Sequence, residues 1–235
     1  MENRTVETGS LMYARIAGIM YVVIIVIGLL HVALTDGELV VPADEITTAV
    51  KIAANSVFFR VGIAATLVMY ASVVVLAWSL YLLLKAVDRN LALLAMLLRL
   101  GEAIVGAATV LVSLLVLHLV RGKESLAAFD AGQLQALAAV FLHARAAGLD
   151  VVLVFVGLGG TLFCYLFFTS KYVPRVLAAW GMFTYVSMLV LALVSILFAD
   201  HPVIIETVLY ALGAGFELVF GFWLLLKGVT LEEQV

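Results

Sequence analysis

Six stretches of this chain are too apolar and too long for a water-soluble fold to bury together. Runs free of Asp, Glu, Lys and Arg lie between Arg15 and Asp36, Arg60 and Lys85, Glu102 and Arg121, Asp150 and Lys171, and Arg175 and Asp200. A sixth, 207–226, is interrupted by Glu217 alone, with ten uncharged residues before it and nine after. The third run reaches back through 91–98, broken by Arg99 and Glu102. A helix crossing a bilayer needs about 20 mostly apolar residues, so six spans are expected, at about 13–35, 60–84, 91–120, 148–170, 175–199 and 205–227. Their apolar residues show no strand-like alternation, which favours helices over a β-barrel. The expected fold is all-α, one integral membrane domain over 1–235 built as a bundle of six transmembrane helices.

Composition agrees. Hydrophobic residues make up 66% of the chain and charged ones 12%, against roughly 45–50% and about 25% in soluble domains. Soluble enzymes, DNA-binding modules and disordered chains are excluded. Thirteen basic residues against sixteen acidic ones leave no positive field for nucleic acid. Cys164 is the sole cysteine, so neither an internal disulfide nor a cysteine-based metal cluster can form. The first run is too long for a signal-peptide core and lacks a small-residue cleavage site, so it reads as signal and permanent anchor together.

Basic residues set the orientation. With the N-terminus inside, the cytoplasmic side collects Arg4, Arg15, Lys85, Arg89, Arg99, Lys171, Arg175 and Lys227, leaving Lys51, Arg60, Arg121, Lys123 and Arg145 outside. N-in, C-in follows, in a multi-pass protein of the plasma (inner) membrane. Two outer connections can carry structure. The one after Pro42 opens with acids and places Ile46, Val50, Ala53 and Val57 on one face, as a surface helix or an extension of the second span. The other contains an apolar segment, 134–144, too short to cross, which extends the fourth span outward or re-enters the outer leaflet.

Several motifs resemble one family. They are Ala14-Arg15-Ile-Ala-Gly18, Phe59-Arg60-Val-Gly62, Arg99-Leu-Gly-Glu102-Ala, Ser170-Lys-Tyr-Val-Pro174-Arg175, and Gly215-Phe-Glu217 with Trp223-Leu-Leu-Leu-Lys227-Gly228-Val229. Together they are similar to the bacterial and archaeal six-helix membrane proteins grouped as domain of unknown function 4386. The resemblance covers nearly the whole chain and implies the six-helix fold. It carries no activity and no catalytic residue.

Ionisable groups inside a bilayer mark functional candidates, because each costs about 2.5–3.5 kcal/mol at a helix centre on insertion scales. Glu217 sits mid-span. Arg99 and Glu102 are three residues apart on one helix and can pair directly. That leaves Glu217 either protonated or paired to Arg99 from another helix. Such a cluster serves as interhelical glue, as a ligand or proton site, or in membrane chemistry. Each acid is followed four residues later by glycine, Gly106 and Gly221, and each lies in the third helix of a three-helix half, as in inverted-repeat transporters with a midplane site.

His31, His118, His143 and His201 form a second group, all at outer span ends, with acids nearby. Imidazole and carboxylate are zinc ligands, and His143 and Asp150 could share a helical face. No His-x-x-x-His spacing exists, so any site would need tertiary assembly. Scattered interfacial histidines, a zinc site and bis-His haem ligation are the three readings. Gly157, Gly159 and Gly160 indicate close helix packing. Trp78, Tyr81, Tyr172, Trp180 and Trp223 suit an interfacial belt. Ser113, Thr161, Thr184 and Ser187 are expected to bond to carbonyls of their own helices.

The sequence therefore points to a small transporter or ligand-binding membrane protein using Arg99, Glu102 and Glu217. The alternatives are a membrane-embedded metal-dependent enzyme built on the outer histidines and Asp150, and a non-catalytic scaffold. No cofactor is expected under the first reading; zinc or haem belongs to the second. Expected partners are the lipid bilayer and a small-molecule or lipid ligand, with no nucleic acid.

Overall fold

The computed structural model describes residues 2–41, 44–121, 129–198 and 203–230. Those residues are helical apart from short turns, and none of them forms a strand. Helix α1 (Glu2–Leu30) passes into a π-helical segment (His31–Asp36) and a last turn, α2 (Gly37–Leu39). There follow α3 (Glu45–Ala54), α4 (Ser56–Leu84), α5 (Arg89–Val120), α6 (Ala131–Ser170), α7 (Arg175–Leu197) and α8 (Val203–Leu226). Six helices are long and apolar enough to span a membrane. They coincide with the six apolar runs, and the protein is a multi-pass membrane protein by the length and composition of its helices.

Polar residues between the runs set the helix starts. Asp44 Oδ1 accepts from the Thr47 amide at 2.9 Å and caps α3. Asp88 Oδ1 accepts from the amides of Asn90 and Leu91, both at 2.9 Å, and caps α5. Asp130 and Gln133 exchange bonds at the start of α6, amide to side chain in both directions, at 2.8 and 3.1 Å. This is a reciprocal capping box that satisfies two orphan donors. Lys171 turns the chain out of α6 with φ 58, and Gly228 ends α8 with φ 71, the left-handed conformation that glycine adopts most readily.

Two sequence alternatives are decided by these elements. Residues 134–144 belong to the 40-residue α6, about 60 Å long at 1.5 Å per residue against a hydrocarbon core of about 30 Å. They extend the fourth span and do not re-enter. Residues 45–54 are a separate helix, parted from α4 by a turn at Asn55. Thr48, Ala49 and Ile52 on α3 are buried, while Ile46 and Val50 are exposed, the pattern of a helix lying in the interface.

The chain divides into two compact units, one of residues 1–25, 71–103 and 150–235, the other of 26–70 and 104–149. Helices α1, α4, α5 and α6 contribute residues to both, so the units are not the two three-helix halves that an inverted repeat would give. The core of the first unit is aromatic. Phe216 and Phe220 stack at 5.3 Å, Tyr185 meets Phe216 edge-on at 5.7 Å, and Tyr21 meets Phe220 at 5.5 Å. Helices α1 and α8 touch through backbone, since a Cβ on Gly18 would lie 2.7 Å from the Gly221 carbonyl oxygen. The Thr230 amide donates to the Tyr172 carbonyl at 3.0 Å, joining the end of α8 to the α6–α7 turn. In the second unit, Gly62 admits the Thr35 side chain, Gly106 the Tyr70 ring and Gly148 the Thr109 methyl.

Candidate functional site

Arg99 and Glu102 lie one turn apart on α5, with Nη1 and Oε2 separated by 2.8 Å. Both side chains are buried, at 4% and 6% exposure. The two atoms meet as charges without the alignment of a hydrogen bond, so Nη1 and Oε2 are both left without a hydrogen-bond partner. Coulomb attraction between the two groups is strong where water is excluded. Space for the arginine stem comes from α6, where Gly159 packs against it; a Cβ there would lie 3.0 Å from Arg99 Cγ.

Glu217 on α8 is bound differently. Its Oε1 accepts a 2.8 Å hydrogen bond from the hydroxyl of Tyr185 on α7, and it makes no ion pair with Arg99. Charge interactions still link Glu217 with Arg99 and with Glu102. The Tyr185 ring lies over Gly160 on α6, and the backbone of Tyr185 and Leu189 approaches Gly157. The expected close packing at these glycines is thus present, and two of them seat Arg99 and Tyr185. Tyr21 on α1 and Cys164 on α6 complete the cluster, both within electrostatic reach of Arg99 and Glu217. Six ionisable side chains from α1, α5, α6, α7 and α8 are gathered within the first unit, each no more than 9% exposed.

Sequence reasoning missed Tyr185, Tyr21 and Cys164. A usable clue existed for the first, because a buried tyrosine hydroxyl ordinarily finds a hydrogen-bond partner and Glu217 needs a donor. Thr161, Ser187 and Ser113 donate to the carbonyls of Gly157, Phe183 and Thr109 as expected. Thr184 departs from that expectation, for its hydroxyl is buried with no hydrogen-bond partner. Trp180 turns its ring onto Phe216 at 5.7 Å, which adds core packing to the belt role its position suggested.

The histidines occupy other surroundings. His31 Nε2 accepts from Arg145 at 3.2 Å, and its Nδ1 lies 3.3 Å from the Thr66 hydroxyl. That hydroxyl donates to the Gly62 carbonyl at 2.9 Å, and both ring nitrogens of His31 have partners. His118 and His143 are exposed, and Asp150 is half-buried. His201 lies outside the described residues. Among the described residues, no three His, Cys, Asp or Glu side chains converge as a metal-ligand group. Two of the acids near the outer ends, Asp44 and Asp130, are occupied as helix caps.

A groove of about 600 Å³ opens along α6, α7 and α8 in the first unit, lined by residues such as Phe183, Val186, Val190, Ile205 and Leu209. None of the six ionisable residues lines it, and the hydroxyls on its wall, Thr161 and Ser187, are spent on their own helices. Its chemistry is that of hydrocarbon.

A family model described as "Domain of unknown function (DUF4386)" matches residues 16–228. Comparison with curated proteins and with solved structures gave no match.

Proposed function

The chain belongs to the DUF4386 family, whose domain has no known function, and from that premise we propose a role that its own buried residues support. It is a small membrane carrier or ligand-binding protein of the plasma membrane that takes up a proton at Arg99, Glu102 and Glu217. The supporting observation is the hydrogen bond from Tyr185 to Glu217. One guanidinium and two carboxylates share a dry site, and the guanidinium stands against Glu102. With both acids ionised the three would carry a net negative charge that burial makes expensive. A proton on Glu217 removes that charge and leaves Oε1 free to accept from Tyr185. Ionisable groups at such depth are typical of proton and substrate pathways.

The basic residues favour both termini on the cytoplasmic side. The ligand is a small molecule or a lipid, arriving through the membrane or across it. The test is a proton count. Purified protein is shifted between two pH values with a dye in solution, and Glu217→Gln is expected to exchange one proton fewer than the parent while unfolding at the same temperature. Equal counts would leave the cluster as interhelical glue and remove the carrier reading.

A further inference from the structure

We infer that the groove along α6, α7 and α8 seats one acyl chain of a membrane phospholipid; resting on the carrier reading above, this gives its ligand a chemical class. Position and length come first. Met182 lies a third of the way along α7, Val194 one turn from its end, and Ile205 in the first turn of α8. The groove therefore runs from just beyond the middle of α7 to the surface where α7 ends and α8 begins. From Met182 to Val194 its wall measures about 18 Å, at about 1.5 Å per residue. One leaflet's share of a hydrocarbon core about 30 Å thick is about 15 Å, so a chain reaching in from that leaflet lies along the whole wall. The groove also opens sideways, with Phe183, Val190 and Ile205 at 64%, 54% and 46% exposure. A lipid enters by sliding within the bilayer and never meets water.

The walls decide what fills it. A polar ligand finds no handle, because the Thr161 and Ser187 hydroxyls are spent on carbonyls of their own helices and no ionisable side chain reaches the groove. A helix from a second copy fits poorly. Helices meet in bilayers at small residues, and no Gly or Ala lines this groove. A slender hydrocarbon chain meets neither objection, and about 600 Å³ is room of the size that small-ligand sites offer. Moving hydrocarbon from lipid to protein brings no hydrophobic gain. The gain is contact, since a chain in a groove touches wall on several sides where a flat face offers one. The same turn of α7 carries Val186 in the groove wall and Tyr185, which is buried and bonded to Glu217, so chain and proton site share one helix wall.

Photolabelling tests this. The full chain is placed in phosphatidylcholine vesicles in which a small part of the lipid carries a diazirine midway along one acyl chain, and attachment sites are read by mass spectrometry after irradiation. Labelling at 182–194 and 205–209 is expected to exceed several-fold that at Val68 on α4 and Leu111 on α5, exposed apolar residues outside the groove. Val190→Trp plugs the groove from an exposed position and is expected to lower groove labelling to the level of α4 and α5 while leaving theirs unchanged. If that variant does not fold, Val190→Phe is a smaller plug with the same expectation. Even labelling over all the exposed spans of the parent would overturn the inference. So would a disulfide-linked dimer formed through Val190→Cys in a Cys164→Ala background, which would give the groove to a second copy. The proton count of Glu217→Gln reads the carrier reading separately. A one-proton difference with even labelling removes the chain site alone, whereas focused labelling with equal counts keeps the chain site and removes the proton site.

Discussion

At residue 217 a carboxyl group accepts from a phenol where a cation was the obvious partner. Removing the phenol oxygen by Tyr185→Phe strands Glu217 Oε1 without its donor, at an expected loss of about 1–3 kcal/mol, read by unfolding in mixed micelles. Arg99→Ala is expected to lose about 3–5 kcal/mol, because it leaves a buried carboxylate uncompensated; a loss below about 1 kcal/mol would mean that Glu102 is already neutral. The Arg99–Glu102 pair was legible in the sequence because its geometry is local, one turn on one helix. The Tyr185–Glu217 bond joins positions 32 apart on different helices, and nothing in the spacing of α7 and α8 announces which faces meet. The same holds for His31 and Arg145, 114 residues apart. Thr184 failed as a local expectation: its buried hydroxyl has no hydrogen-bond partner.

Helices were the legible scale. Charge-free runs specify spans because each backbone group in hydrocarbon must be satisfied within its own segment, and all six expected spans are helices. The π-helical segment at His31–Asp36 was not legible; its Thr35 and His31 side chains pack against Gly62 of α4, a tertiary contact that spacing does not announce. Family-like motifs turn out to mark contacts between elements. Gly18 meets Gly221, Gly62 meets Thr35, and the stretches around Tyr172 and Gly228 are joined by the Thr230–Tyr172 bond. Outside the membrane-spanning helices, the Asp44 cap gives α3 a pH dependence with a definite sign. Hydrogen bonds from the Thr47 side chain and amide hold the Asp44 carboxyl below its ordinary value. The cap's contribution is therefore complete above the unfolded value of about 3.9 and is lost as pH falls through the lower folded value. Amide exchange in α3 is expected to quicken selectively on acidification, and Asp44→Asn, which still caps, should abolish that dependence. An exchange rate in α3 that tracks the whole protein instead would assign its order to packing at Ala49 and Ile52.

The whole molecule is a six-span helical membrane protein of the DUF4386 family, and its orientation is set by which turns carry basic residues. In a Cys164→Ala background, an impermeant thiol reagent outside intact cells is expected to reach a cysteine at Asn55, an exposed turn residue, and to miss one at Asp88 in the α4–α5 turn. Labelling at 88 from outside would invert the topology. The central claim, that the buried cluster holds a proton on Glu217, is tested most directly by the unfolding free energy of Glu217→Gln against the parent in lipid at neutral pH. Glutamine copies a protonated glutamate in shape and still accepts from Tyr185, so the two proteins should agree within about 1 kcal/mol. A loss of about 3–5 kcal/mol would instead reveal an ionised Glu217 whose charge helps hold the helices together, and would contradict the proton site.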